Sequence, residues 1–212
     1  ANAGRMWCGR FPLRLISAER PLRRSAAANL GIESAQGQYL IFLDDDDLFD
    51  PDHIAALVDA LEGSPKCLAA YAGVKVEDRA GNRIGVYHEL FSSARFMAGN
   101  FIPIHAILFA RQLVSAGCRF DDSFDSYEDW DFWLQVARRT VFVRTATVSA
   151  VFRARLGDSG MAVAVADLQV RLGLSGGAGR FRHGTAGSRS AGAPASSQAG
   201  RVGEMVAQVD GQ

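Results

Sequence analysis

The sequence has few cysteines, no net charge and no long apolar run, and each shortage excludes something. Cys8, Cys67 and Cys118 are the only cysteines in 212 residues. They show neither metal-site spacing nor even pairing, which favours structural thiols in a reducing compartment. Lys plus Arg and Asp plus Glu both total 23, so no positive excess marks a nucleic-acid surface. No apolar run approaches the ~20 residues of a membrane span, and no signal-peptide pattern opens the sequence. These absences point to a cytoplasmic protein with no nucleic-acid partner and no transmembrane segment. Peripheral contact at the inner face of a membrane stays compatible with them.

Large apolar side chains are also scarce in one region. Ten of the 22 glycines fall after residue 170, among Ala, Ser and Arg. Such a stretch buries too little surface to offset its ordering entropy, so residues 161–212 are expected to form a disordered tail. Residues 1–160 are then the folded domain.

In that domain, short apolar runs alternate with helical patterns, which predicts an α/β fold with a mainly parallel central sheet. Phe11–Ser17 is a candidate first strand. A helix is expected in the Ala-rich segment that Gly37 closes, with the small residues Ala26, Ala27, Ala28 and Gly31 allowing close packing. Tyr39–Leu43 is an apolar run of the kind buried on both faces of a sheet. Asp50 as N-cap and Pro51 in the first turn open another helix, with Ile54, Leu57, Val58 and Leu61 as its stripe. Strands follow over Leu68–Val76 and Arg83–Tyr87 around an Asp78–Asn82 turn. Phe91–Pro103 reads as irregular. Ile104–Phe109 is expected to be a strand carrying His105, and Ala110–Ala116 a short helix. Ser126 and Asp129 match a capping box at the start of a helix with Trp130, Trp133 and Leu134 on one face. Val141–Phe152 completes the strands.

The strand Tyr39–Leu43 runs directly into Asp44, Asp45, Asp46 and Asp47. Like charges crowded at a strand end repel, and a hard divalent cation such as Mg²⁺ or Mn²⁺ would remove that cost. Taken alone, four aspartates are more often a solvated turn. In open α/β sheets, however, ligands bind beyond the carboxyl ends of strands, where these residues stand. Glu128 and Asp129 form a second acidic pair, at a helix start that favours their charged form and so lets them accept a proton. The structural alternative for Asp129 is the capping box.

The segment Arg24–Asp47, with Ala-x-Asn-x-Gly before Gly-x-Tyr-x-x-Phe-Leu-Asp-x-Asp-Asp, resembles the family 2 glycosyltransferases of the GT-A fold. A second match runs from Gly99-Asn100 through Leu108-Phe109-Ala110-Arg111 and Phe120-Asp121 to Glu128-Asp129-Trp130. The resemblance implies a GT-A nucleotide-diphospho-sugar transferase sandwich. Asp44, Asp46 and Asp47 would be a DxD-type site holding Mn²⁺ or Mg²⁺ against the donor diphosphate, with Arg24 and Asn29 beside it. Asp129 would be the catalytic base of an inverting transfer, and Glu128 would support the acceptor or orient the base. Asn100 and His105 would line the acceptor side; a hydrogen-bonded structural Asn29 and a buried structural His105 are the alternatives. Trp130 and Trp133 would offer a stacking face or serve as core. The partners implied are a nucleotide-diphospho-sugar donor and a saccharide, lipid-linked or protein acceptor.

The match is partial. The family's opening strand, its nucleobase-binding segment and a further aspartate have no counterpart in residues 1–20, which implies a domain lacking its N-terminal part. Such a sheet is expected to show an unpaired edge. After the Glu128-Asp129 helix only Arg153 and Arg155 could serve as the further basic or His ligand of the family. Two other readings fit the aspartates: a haloacid-dehalogenase-like phosphatase, which Leu48 two residues after Asp46 disfavours, and an inactive metal- or nucleotide-binding remnant.

Overall fold

Strand β1, Tyr39–Leu43, sends alternate side chains to opposite sides of the sheet, and the two sides become two cores. The computed structural model describes residues 16, 18, 20–124, 126–154 and, as backbone, 205–209. Leu40 and Phe42 join one core with Ala28 and Ile32 of helix α1 (Arg24–Ser34) and with Phe132, Trp133 and Val136 of a later helix. Tyr39 and Ile41 join the other with Leu57 and Leu61 of α2 (His53–Glu62). Strand β3 (Ala69–Glu77) alternates likewise, Ala69 and Tyr71 against Ala70 and Ala72. The first core is aromatic: Phe120 stacks on Phe132 at 4.5 Å, and Phe42 meets Phe120 edge-on at 5.4 Å. Truncating Phe42, fully buried among these rings, would cost about 3–5 kcal/mol.

The remaining elements are β2 (Leu48–Phe49), β4 (Arg83–Tyr87), α3 (Ser93–Ala98), a 3₁₀ turn over Ile104–Ala106, β5 (Ile107–Ala110) and α4 (Gln112–Ser115). Helix α5 (Glu128–Ala137), β6 (Phe142–Arg153) and β7 (Met205–Val209) complete the list. Neighbouring strands follow the order β2-β6-β3-β5-β1-β7, with β4 also on β3. Only β3 with β6 is parallel among the described pairings. The expected mainly parallel sheet is therefore corrected to a mixed one within the α/β architecture. Helices cover both faces, so β1 is buried whatever its neighbours' direction, and its composition carries no sign of that direction.

Local differences have local causes. Helix α1 stops at Ala35, whose N–H returns to the Gly31 carbonyl at 3.0 Å, before Gly37 is reached. Helix α2 starts two residues later than the Asp50–Pro51 signal, and the Asp50 carboxylate pairs with Lys75 Nζ at 2.8 Å. The segment expected to be irregular contains α3, capped by Ser92. His105 lies on the 3₁₀ turn, not on a strand. Gly73 is required sterically: a Cβ there would stand 2.7 Å from Val148 and 2.9 Å from the His88 ring.

Strand β7 lies within the stretch expected to form the tail. Met205–Val209 pairs antiparallel with all of β1, on the side away from β5. The pentad Met-Val-Ala-Gln-Val is richer in β-formers than the Gly- and Ser-rich text before it. The rest of residues 161–212 and nearly all of the candidate strand Phe11–Ser17 lie outside the described residues.

Candidate active site

The four aspartates form the turn from β1 into β2, closed by the Asp47 N–H donating to the Asp44 carbonyl at 3.2 Å. β2 then pairs with β6, Leu48 opposite Val151 and Phe49 opposite Ala150, which fixes the exit from the turn. Asp44, Asp46 and Asp47 each bring a carboxylate oxygen within 4.8 Å of the others. Asp45 points to solvent. Asp47 is the anchored member: it is buried, and its Oδ1 accepts the backbone N–H of Arg153 at 3.1 Å. Its Oδ2 lies 2.9 Å from His105 Nδ1, off the line of a well-formed hydrogen bond.

Burial pushes the Asp44 carboxyl above its ordinary pKa, the Arg24 guanidinium pulls it down, and Asp47 and Asp46 push it up again. A bound cation would oppose that rise. Three hard oxygen donors within 4.8 Å of one another have the chemistry that suits a divalent metal of the Mg²⁺ or Mn²⁺ type.

Behind this turn stands a residue that the sequence reading missed. His53 is fully buried at the start of α2, with Nε2 3.3 Å from the His105 carbonyl and Nδ1 2.8 Å from Ser149 Oγ. A carbonyl only accepts, so Nε2 carries the proton and Nδ1 accepts from the serine. Burial lowers its pKa to about 4, which leaves it neutral. Its place is structural: it holds the turn that carries His105. No sequence signal distinguished it from an ordinary polar residue opening a helix.

The second acidic pair sits where α5 begins. Tyr127, the residue before it, has φ 64°, the left-handed region that a bulky side chain enters only with strain of about 1–2 kcal/mol. No capping box forms, since α5 has no side-chain cap. Asp129 Oδ1 instead accepts the N–H of Trp130 at 2.7 Å, and Oδ2 accepts from Asn100 Nδ2 at 3.0 Å. Burial raises the Asp129 pKa to about 6, the Glu128 charge adds to the rise, and the Trp130 N–H and Arg24 oppose it. Burial thus outweighs the helix-start effect expected from the sequence. Glu128 is itself buried.

Arg24, on the first turn of α1, joins the two regions. Its Nη2 lies 3.3 Å from Asp44 Oδ2 and its Nε 3.4 Å from Glu128 Oε1. Residues far apart in sequence are thereby brought together. Asn29 turns elsewhere: its amide donates to the Phe120 carbonyl at 2.9 Å and accepts the Phe120 N–H at 3.0 Å. Both ends of the amide are engaged by backbone, so the cofactor-binding expectation for Asn29 gives way to the structural one. Trp133 is core, while half-buried Trp130 donates its Nε1 to the Phe96 carbonyl at 2.8 Å. Arg153 contributes its backbone to Asp47; Arg155 lies outside the described residues.

The glycosyltransferase-like family 2 model matches residues 17–161. The chain belongs to that family. This assignment sets aside the phosphatase alternative. Among its relatives, the uncharacterized glycosyltransferase YwdF of Bacillus subtilis is 27% identical over 147 residues, 67% of this chain and 54% of YwdF. Two solved glycosyltransferases share the GT-A fold. Residues 1–349 of S. aureus TarS superpose with a TM-score of 0.54 at 11% identity, over 71% of this chain and 46% of that one. The Pyrobaculum calidifontis mannosyltransferase PcManGT, in complex with GDP-Man and Mn²⁺, gives a TM-score of 0.52 at 15% identity, over 84% and 52%. The chain thus spans about half the length of the relatives it matches. No described helix of this family 2 chain is long and apolar enough to cross a membrane.

Proposed function

We propose that this chain carries the donor-diphosphate and base portions of an inverting glycosyltransferase. It would move a sugar from a nucleotide-diphospho-sugar to an acceptor hydroxyl on a saccharide, lipid-linked or protein acceptor. The observation that carries this reading is the reach of Arg24 to both Asp44 and Glu128, which makes one site of two acidic clusters. The complex of PcManGT with GDP-Man and Mn²⁺ supports a nucleotide-sugar and a divalent cation as partners of this fold.

Asp44, Asp46 and Asp47 are the residues to hold Mn²⁺ or Mg²⁺. Bound there, the cation would supply Lewis-acid stabilisation of the departing nucleoside diphosphate. Arg24 adds a fixed positive charge on the same side. The acceptor oxygen attacks the anomeric carbon while the bond from that carbon to the diphosphate oxygen breaks. The bonding pair leaves with the diphosphate, and the hydroxyl proton passes to Asp129. One displacement of this kind inverts the anomeric centre. With a pKa of about 6, Asp129 is mostly ionised at neutral pH and still basic enough to take a proton in the transition state.

The test is release of nucleoside diphosphate by the 212-residue chain from a panel of radiolabelled nucleotide-sugars with Mn²⁺. At least one donor should be consumed by the wild type and spared by Asp129→Asn. Manganese-dependent nucleotide binding without turnover on any donor would overturn the enzyme reading in favour of a binding remnant.

A further inference from the structure

Asn100 sits in the loop between α3 and the 3₁₀ turn, and its amide has one orientation that the backbone imposes. Its Oδ1 accepts the N–H of buried Ile102 at 3.1 Å. Only the oxygen end can meet an N–H, so the NH₂ end faces the other way. There it donates to Asp129 Oδ2 at 3.0 Å. The other oxygen of Asp129 is held from α5 by the Trp130 N–H, and the Trp130 indole is tied to α3 through the Phe96 carbonyl. Two donors from two separate elements therefore set the plane of one carboxylate. Each oxygen keeps a further lone pair for an incoming hydroxyl. An Asp at position 100 would present an oxygen where a donor is needed, and a Gln would be one methylene too long for both contacts.

We propose that Asn100 is the positioning residue for the base: it locks the Asp129 carboxylate in plane and favours its ionised form through a hydrogen bond to Oδ2. This rests on the reading of Asp129 as the base. It moves Asn100 from the acceptor wall, where the family resemblance puts it, to the support of the proton acceptor. The charged groups that act on Asp129 are Glu128 beside it on α5 and Arg24 opposite on α1, and a change at residue 100 removes neither.

The test is a carbon-13 carboxyl titration of the whole chain, with the Asp129 signal assigned by its loss in Asp129→Asn. Removing a hydrogen bond to the charged form in Asn100→Ala should raise the Asp129 midpoint by about one pH unit. Asn100→Asp should raise it further, because carboxylate then faces carboxylate while the Ile102 N–H keeps its acceptor. That variant also carries the test if the alanine substitution loosens the loop. The acid limb of kcat should move by the same amount, with the donor KM unchanged. An unmoved midpoint in both variants would overturn the proposal. A shifted midpoint combined with undiminished transfer by Asp129→Asn would sink the base assignment and leave the positioning intact.

Discussion

The acidic turn after β1 and the acidic start of α5 each hold a carboxylate whose pKa burial raises, yet the two regions are built differently. At the turn, three carboxylates are crowded within 4.8 Å and fixed by backbone: the strand before, β2 after, and the Arg153 N–H on Asp47. Arg24 offsets part of their mutual repulsion, and in the proposed site a cation would relieve the rest. At α5 the half-buried Asp129 stands beside one like charge, and partial burial with that charge raises its pKa to about 6. A cluster that binds a metal needs density of charge; a base needs a grip on a proton. At the turn Asp47 is buried and anchored while Asp44 and Asp46 are half-buried, so the cluster is held from inside and open on its outer side. Arg24 lies against both and lets one positive group moderate two kinds of acid.

The sharpest way to break this contrast is substitution on the base side alone. Asp129→Asn should lower turnover by about 10²–10⁴-fold, the usual worth of a general base, while nucleotide binding measured by calorimetry stays within a factor of about two. Equal loss of both would merge the two regions into one. Arg24→Ala should affect both: about tenfold weaker nucleoside diphosphate binding, from loss of a charge-assisted contact, and a higher midpoint for the acid limb of kcat.

Next in size is the pH dependence. Below about pH 6 the rate should fall close to tenfold per unit as Asp129 takes a proton. Stability should run the other way. The folded-state pKa of Asp129 lies above its ordinary 3.8, so the folded protein binds this proton more tightly than the unfolded chain does. Its contribution is then present below about pH 4 and is lost as pH rises towards about 6, worth at most about 3 kcal/mol. Denaturant titrations of wild type and Asp129→Asn across that window would show it as a difference in slope. Asn29→Ala should be the smallest in function: about 1–2 kcal/mol of stability lost with its two Phe120 hydrogen bonds, and nucleotide binding unaltered.

A strand with a clean apolar run, and one that follows a strong turn signal, were legible from residues alone. Tyr39–Leu43 and Arg83–Tyr87 stand where their patterns put them. Strand direction was not legible, because burial on both faces looks the same beside parallel and antiparallel neighbours. The carboxylates were legible as two groups, since the family resemblance carries both motifs, but their juxtaposition depends on Arg24 crossing from α1. The capping box failed because the helix starts one residue late, with Tyr127 and not Ser126 as N-cap, and the Asp129 oxygens turn instead to Asn100 and the Trp130 N–H. His53 stayed hidden because its partners, Ser149 and His105, come from β6 and the 3₁₀ turn. Side chains paired across the sheet leave their mark only in three dimensions.

The central claim is that the turn after β1 binds a diphosphate through a divalent cation. The measurement that tests it most directly is calorimetric titration of nucleoside diphosphates into the whole chain, with and without Mn²⁺, for wild type and Asp44→Asn/Asp46→Asn. The account predicts manganese-dependent binding by the wild type that the double variant loses. Binding that is indifferent to manganese, or that survives in the double variant, would contradict it.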